Sequence, residues 1–370
     1  MSTFDLIVVG AGIVGAACAD AAAEAGLRVA IVEEREIGGG ATAAAMGHLV
    51  ALDEDPAELA LAQYSQRLWE EFIDVPAAEF KRCGTLWLAR DERERELANA
   101  KIARLGAVGI AAEAVDALEL YRLEPALARG LAGGMRVPGD AVVYPPNVAR
   151  HLVTRACGRG ARIYEGRRAC ALEAGGVVLD DGTHLSGPAL IATGCALPEL
   201  LPRLPMRARK GHLVVTGRYP DFIRHQLVEL GYADSAHGGS ASSVAFNVQP
   251  RGTGQILIGS SREFDDPSPQ VSMHMVHRML ARAFTYLPGL RPMQALRIWT
   301  GFRPTSLDGK PYLGPIPDRP DLWVAAGHEG LGITTALGSA RLLVDQLLGR
   351  HCAIDPRPYL PARAMTQVAA

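Results

Sequence analysis

Three glycines near the start of the chain, Gly10, Gly12 and Gly15, stand at G-x-G-x-x-G spacing. Glycine at these places lets a tight turn form, lets a pyrophosphate approach the backbone, and lets a helix close on a strand. Glu33 lies 21 residues after Gly12, with Glu34 and Arg35 beside it. A carboxylate at that distance accepts hydrogen bonds from an adenosine ribose, which selects an adenine dinucleotide without a 2′-phosphate. FAD and NAD both satisfy this chemistry. Two later segments separate them. Residues 37–51, IGGGATAAAMGHLVA, are small enough for backbone to lie against a flat ligand. A second glycine turn, Gly327, His328, Glu329, Gly330, Leu331 and Gly332, runs into Ile333 and Thr334. A helix opening there presents its positive end to the ligand, which suits the N1–C2=O edge of a flavin as it gains charge on reduction. A nicotinamide enzyme has no need for that second turn, so the pair of turns points to FAD.

These residues need elements to hold them. Residues 4–9, FDLIVV, form an apolar, β-branched run that reads as a buried parallel strand. The Ala-rich stretch from Ile13 and Val14 to Ala25, with Gly26 after it, reads as a helix with a glycine stop. Residues 28–32 form a second strand that delivers Glu33. Near the C-terminus, LWVAA is a further buried strand, and a helix is predicted from about Thr334 to Leu348. LVVTGR, SSVAFNVQP and GQILIGSSREF read as antiparallel strands, and 272–287 as a helix carrying Met275, Met279, Leu280 and Phe284. Residues 91–107 form an amphipathic surface helix, and the tail after Asp355, with three prolines, reads as loosely packed.

Composition bounds the partners. With 370 residues, about two domains are expected. Hydrophobic residues at 48% and charged residues at 21% exclude disorder for most of the chain. The formal charge of −2 argues against a nucleic-acid partner. The six cysteines, Cys18, Cys83, Cys157, Cys170, Cys195 and Cys352, contain no C-x-x-C pair, so neither a disulfide framework nor a zinc or iron–sulfur ligand set is expected, and no metal. Asp5 precedes the first apolar run, and Asp20 and Glu24 interrupt it, so neither a signal peptide nor a transmembrane segment is expected. A cytoplasmic location follows as an expectation.

The ribose acid followed by the small-residue loop resembles the D-amino acid oxidase, glycine oxidase and sarcosine oxidase superfamily. Residues 299–316, WTGFRPTSLDGKPYLGPI, and 321–348 resemble the closing unit of the same superfamily. ALIATG at 189–194 resembles its return strand, and 139–166 its D-G-x-x-x-P loop, helix and strand. The resemblance implies an α/β fold: a Rossmann-like FAD-binding domain of the glutathione-reductase type with a second, antiparallel-sheet substrate domain. It implies a discontinuous FAD domain over 1–80, 139–210 and 299–370, and a substrate domain over 81–138 and 211–298. It places Thr42, Ala43, Gly47 and His48 along the flavin, backbone around Cys170 against the adenine, and Ala192 and Gly194 on the return strand.

The resemblance also implies a reaction, oxidation of a C–N bond beside a carboxylate with hydride leaving to flavin N5. Arg303, in GFRP, falls where these oxidases clamp the substrate carboxylate, a task suited to a bidentate, permanently charged guanidinium. His48, His328 and Glu329 rank second, and an acid at 329 departs from the arginine or glycine of glycine oxidases. Asn247 and Arg262 sit on the proposed substrate sheet, in binding or structural roles. FNVQPRGTGQILIGSSREF and AAMGHLVALDEDPAELALAQYSQRLW resemble the flavin (beta) subunits of bacterial D-hydroxyproline dehydrogenases. That implies cis-4-hydroxy-D-proline or D-proline as substrate and companion subunits carrying iron–sulfur or further flavin centres. Two other readings stay open: an oxidase of glycine or D-amino acids that uses O2, and a flavin-carrying subunit, akin to those of opine oxidase or hydrogen cyanide synthase, that turns over only with partner chains.

Overall fold

The structure, a computed structural model, describes residues 3–52, 55–231, 242–264 and 266–365. Two large sheets organise it. The first has six strands in the order Tyr312–Ile316, Arg319–Ala326, Ala189–Ile191, Leu6–Val9, Val29–Glu33, Arg162–Glu165. All neighbours are parallel except the first pair. The period of two along each strand supplies two cores. Leu6, Val8, Val29 and Ile31 face a layer of helices, while Ile7, Val9, Ala30 and Val32 face the other side. The helix Ile13–Glu24 packs against Pro145–Gly158 and Gly332–Leu347. Its run of buried alanines keeps the helix surface low, so both neighbours can come close. The opposite face is covered by a three-stranded antiparallel sheet of Ala169–Glu173, Gly176–Leu179 and His184–Ser186.

The second sheet has eight strands, ordered Ala295–Thr305, Arg207–Arg218, Gln255–Glu263, Ser242–Pro250, Gln226–Glu229, Thr85–Ala89, Gly133–Val137, Glu113–Asp116. The three strands predicted as antiparallel are so, but Gln226–Glu229 runs parallel to Thr85–Ala89, and the sheet is mixed. The helix Met273–Tyr286 lays Val276, Met279, Ala283 and Tyr286 on one face of this sheet. On another part of the sheet Leu213 and Leu257 meet Met46 from the small-residue loop. Strands Arg207–Arg218 and Ala295–Thr305 run across the boundaries expected at 210 and 299, so Arg303 sits in the eight-stranded sheet.

The charged helix spans Glu92–Ala107, capped by Asp91 and burying Ala98 and Leu105. The C-terminal helix begins at Gly332, two residues before the expected Thr334. The tail is packed rather than loose as far as 365: Tyr359 is 1% exposed, its hydroxyl donates to the Ala57 carbonyl at 2.6 Å, and Arg363 binds Asp308. Residues 366–370 lie outside the described residues. Among the described residues no helix is long and apolar enough to cross a membrane, and no cluster of His, Cys, Asp and Glu could hold a metal ion.

Candidate active site

A cleft of about 760 Å³ runs from the first glycine turn, past the small-residue loop, to the eight-stranded sheet. Its nucleotide end is built at the carboxyl ends of Leu6–Val9 and Val29–Glu33. Gly10, Gly12, Ile13 and Val14 line it, as do Glu33, Glu34 and Arg35. Gly10 has φ +103°, and a Cβ there would lie 2.6 Å from the Ala192 carbonyl oxygen. Gly15 does not line the cleft. A Cβ on it would lie 1.9 Å from the Gly10 carbonyl oxygen, so its place is in the helix–strand contact. The Glu33 carboxylate accepts the Ala11 and Arg35 N–H groups at 2.7 and 2.9 Å, which fixes it at the cleft wall. Thr42 lines the cleft and takes the Ile13 N–H at 3.0 Å, so one orphan donor of the helix start is held by the loop. Ala192 and Gly194, which follow the strand Ala189–Ile191, line the cleft.

Two expectations need correcting here. Cys170 is exposed and lies away from the cleft; its predecessors Arg167, Arg168 and Ala169 line it instead. Successive strand residues face opposite sides, and the buried one is Ala169. Ala43 also faces away, because Gly40–Ala44 coils into a short helix that leaves Ala44, Ala45, Met46 and Gly47 on the cleft side.

In the middle of the cleft His48 meets the second glycine turn. Its Nε2 lies 3.3 Å from the Gly330 carbonyl oxygen, which can only accept, so Nε2 carries the proton. Burial pushes His48 down to about 4 and His328 to about 3, and both rings are neutral near pH 7. His328 lines the cleft and its Nε2 is 3.1 Å from the Ser339 hydroxyl. Gly330, Leu331, Gly332 and Ile333 line the cleft at the opening of the C-terminal helix. Gly327 and Thr334 do not. Thr334 instead ties the helix to the loop, donating to the His48 carbonyl at 3.1 Å and accepting the Val50 N–H at 3.2 Å.

The far end is charged. Arg303, Arg262, Glu329, Asn247 and Ser260 line it. Glu329 has φ +48°, and its carboxylate takes Arg209 Nη1 at 2.8 Å and the Gly330 N–H. Burial would raise this carboxyl, but the charges of Arg262, Arg303 and Arg209 outweigh it and hold it at about 2. Glu329 is therefore an anion. Arg303 Nη1 donates to the Ser261 carbonyl at 3.3 Å. Its guanidinium lies across Gly211, where a Cβ would come within 2.5 Å of Nη1 and 2.8 Å of Nη2. Asn247 Oδ1 and Ser260 Oγ are buried and have no hydrogen-bond partner among the described residues. Sequence reasoning missed Gly211, Arg209 and Ser260. They sit in strands whose apolar alternation carries no motif; the pairing of Arg209 with Arg303 and Gly211 with Gly301 brings the first two to the site, and Ser260 lies on the strand Gln255–Glu263.

A flavin dinucleotide fits this cleft. One end offers a glycine turn, a helix N-terminus and a fixed acid; the middle offers small residues and a second helix N-terminus; the volume lies within the range of cofactor pockets. Comparisons with known proteins agree. The profile of the family described as FAD dependent oxidoreductase matches residues 5–346. The chain is 31% identical over 385 residues to glycine oxidase of Pseudomonas aeruginosa, covering 96% of this chain and 98% of the relative. It is 30% identical over 363 residues to glycine oxidase of Bacillus licheniformis, covering 94% and 93%. The crystal structure of glycine oxidase from Geobacillus kaustophilus matches with a TM-score of 0.87 at 27% identity, over 98% of this chain and 99% of that one. With a site built for the cofactor and a family profile spanning nearly its whole length, the chain belongs to the FAD dependent oxidoreductase family of the glycine oxidases.

Proposed function

We propose that this chain is an oxidase of the glycine and D-amino acid type, with Arg303 holding the substrate carboxylate and O2 taking the electrons. The observation that carries the reading is the Arg303 guanidinium, spread over Gly211 at the end of the cleft remote from the nucleotide turn. A planar fork laid on bare backbone presents its donors bidentately to a carboxylate. The relatives named glycine oxidase support this reading over a hydroxyproline dehydrogenase.

Gly10, Gly12 and the start of the helix at Ile13 would hold the pyrophosphate, Glu33 the ribose, and Gly47, His48 and the turn at Gly330–Ile333 the ring. When bound, the flavin supplies the acceptor for the hydride that leaves the substrate α-carbon. The chain's own residues orient the substrate for it. Arg303 fixes the carboxylate, which sets the direction of the α C–H bond. The positive charge of Arg303 disfavours a second cation nearby, so the substrate nitrogen sheds its proton more readily and its lone pair becomes available. Neutral His48 donates to the Gly330 carbonyl and so positions the turn.

The FAD-loaded chain is expected to consume O2 and form peroxide with glycine or D-amino acids. Arg303→Ala should lower kcat/KM on all of them by about a hundredfold or more. Turnover that appears only with an artificial dye, and chiefly with cis-4-hydroxy-D-proline, would overturn the oxidase reading. It would favour instead the dehydrogenase with iron–sulfur or flavin companion subunits, which rests on the resemblance of two segments.

A further inference from the structure

Resting on that reading, we propose that the far end of the cleft is a second anion site, formed by Arg262, Ser260 and Asn247, and that the substrate carries a second carboxylate besides the one on its α-carbon. Glycine has nothing to place there. Ser260 and Arg262 are two residues apart on the strand Gln255–Glu263, and Asn247 lies on the adjacent strand, in register with Gly259. All three line the cleft. They are deeply buried, at 3%, 8% and 6% exposure respectively. Burying polar groups without partners is costly, and natural sites keep them where a ligand completes the bonding. Among the described residues Ser260 Oγ, a hydroxyl able to donate, is in that condition. An apolar substrate arm would leave that hydroxyl unsatisfied; a carboxylate would accept its hydrogen. Ser260 Oγ–H and the Asn247 amide N–H groups are donors, as is the guanidinium of Arg262, and three donor-bearing side chains lining one cleft suit a carboxylate.

The neighbouring charges fit the same assignment. Glu329 is the acid lining this end, and it is engaged by Arg209 at 2.8 Å and by the Gly330 N–H. The two cleft-lining arginines have separate supports. Arg303 rests on Gly211 and Ser261 of two adjacent strands, and Arg262 stands two residues after Ser260 on Gln255–Glu263. One therefore serves the α-carboxylate and the other the second arm, and Arg262 sets specificity rather than performing chemistry.

The test uses the FAD-loaded chain and reads ligand binding from shifts of the flavin bands, so it needs no turnover. Glutarate, butyrate and 4-hydroxybutyrate share a carboxylate and differ in the second arm. Glutarate is expected to bind about tenfold or more tighter than either of the others. Arg262→Gln should bring the glutarate-to-butyrate ratio close to one and leave butyrate unchanged. The pair Ser260→Ala and Asn247→Leu should lower the ratio in the same direction, which guards against a folding defect in the arginine variant. Equal binding of glutarate and butyrate, or of glutarate and 4-hydroxybutyrate, by the unaltered protein would overturn the second anion site. A ratio that survives Arg262→Gln in folded protein would overturn the role of that residue. If the ratio holds but no amino acid, D-glutamate and D-aspartate included, yields peroxide, the oxidase reading fails while the anion site stands.

Discussion

At the scale of single residues, the orientation of Arg303 depends on an atom that is missing. Gly211 bears no Cβ, and a methyl group there would lie within 2.8 Å of both terminal nitrogens of Arg303. Gly211→Ala should therefore push the guanidinium out of place while leaving strand pairing intact. The expected result is a KM raised about tenfold or more, with FAD affinity and Tm nearly unchanged; steady-state kinetics beside a melting curve check it. His328 offers a pH test. Its buried ring has a folded value of about 3 against an ordinary 6.5. A histidine depressed in this way stabilises the fold above pH 6.5, and that contribution is lost as pH falls through the window down to about 3, because the unfolded chain binds the proton first. His328→Gln cannot titrate. The stability gap between the unaltered protein and this variant should narrow on acidification, by up to about 1.4 kcal/mol per pH unit. A gap that stays constant from pH 7 to pH 4.5 would show that the ring is not held neutral.

At the scale of elements, two substitutions separate the helices that build the site from those that only cover the fold. A Cβ on Gly15 would meet the Gly10 carbonyl oxygen at 1.9 Å and the Ala192 Cβ at 3.2 Å, so Gly15→Ala must part the first helix from the strands that carry the nucleotide turn. Loss of FAD affinity together with a destabilisation of about 1–3 kcal/mol is expected. Asp91 caps the outer helix Glu92–Ala107 through the Glu94 N–H at 2.9 Å. Asp91→Ala should cost about 1 kcal/mol of stability and leave kinetics untouched. Titrating FAD into both variants checks the contrast. The strand–turn–helix units were legible in the sequence because glycine spacing, an alanine-rich helix and an acid at a strand end each carry a local physical signature. The C-terminal helix starts two residues before the expected Thr334, since Gly332 is a poor helix former and only tertiary contact recruits it. The orientation of Ala43 and Cys170 was not legible, because it turns on a short helix and on the phase of one strand.

At the scale of the molecule, the cleft exists because two sheets with different tasks meet along the small-residue loop. One sheet supplies the parallel strand ends and two helix N-termini; the other supplies Arg303, Arg262, Asn247 and Ser260 from three strands, Ala295–Thr305, Gln255–Glu263 and Ser242–Pro250. The first sheet could be read from local patterns. The second could not be read in full: its parallel pair, Gln226–Glu229 with Thr85–Ala89, joins residues about 140 positions apart, and nothing local specifies it. Long separation in sequence likewise explains why Arg209 and Gly211, paired with Arg303 and Gly301, were invisible as site residues until the strands were paired. The most direct test of the central claim is the visible spectrum of the purified chain with FAD, followed without oxygen as glycine and D- and L-amino acids, D-proline, cis-4-hydroxy-D-proline and D-glutamate among them, are added. Bleaching of the flavin bands by at least one amino or imino acid, lost in Arg303→Ala and reversed rapidly when air is admitted, is the predicted result. A chain that takes up no FAD, or whose bound flavin stays oxidised with every amino acid offered, would contradict the account.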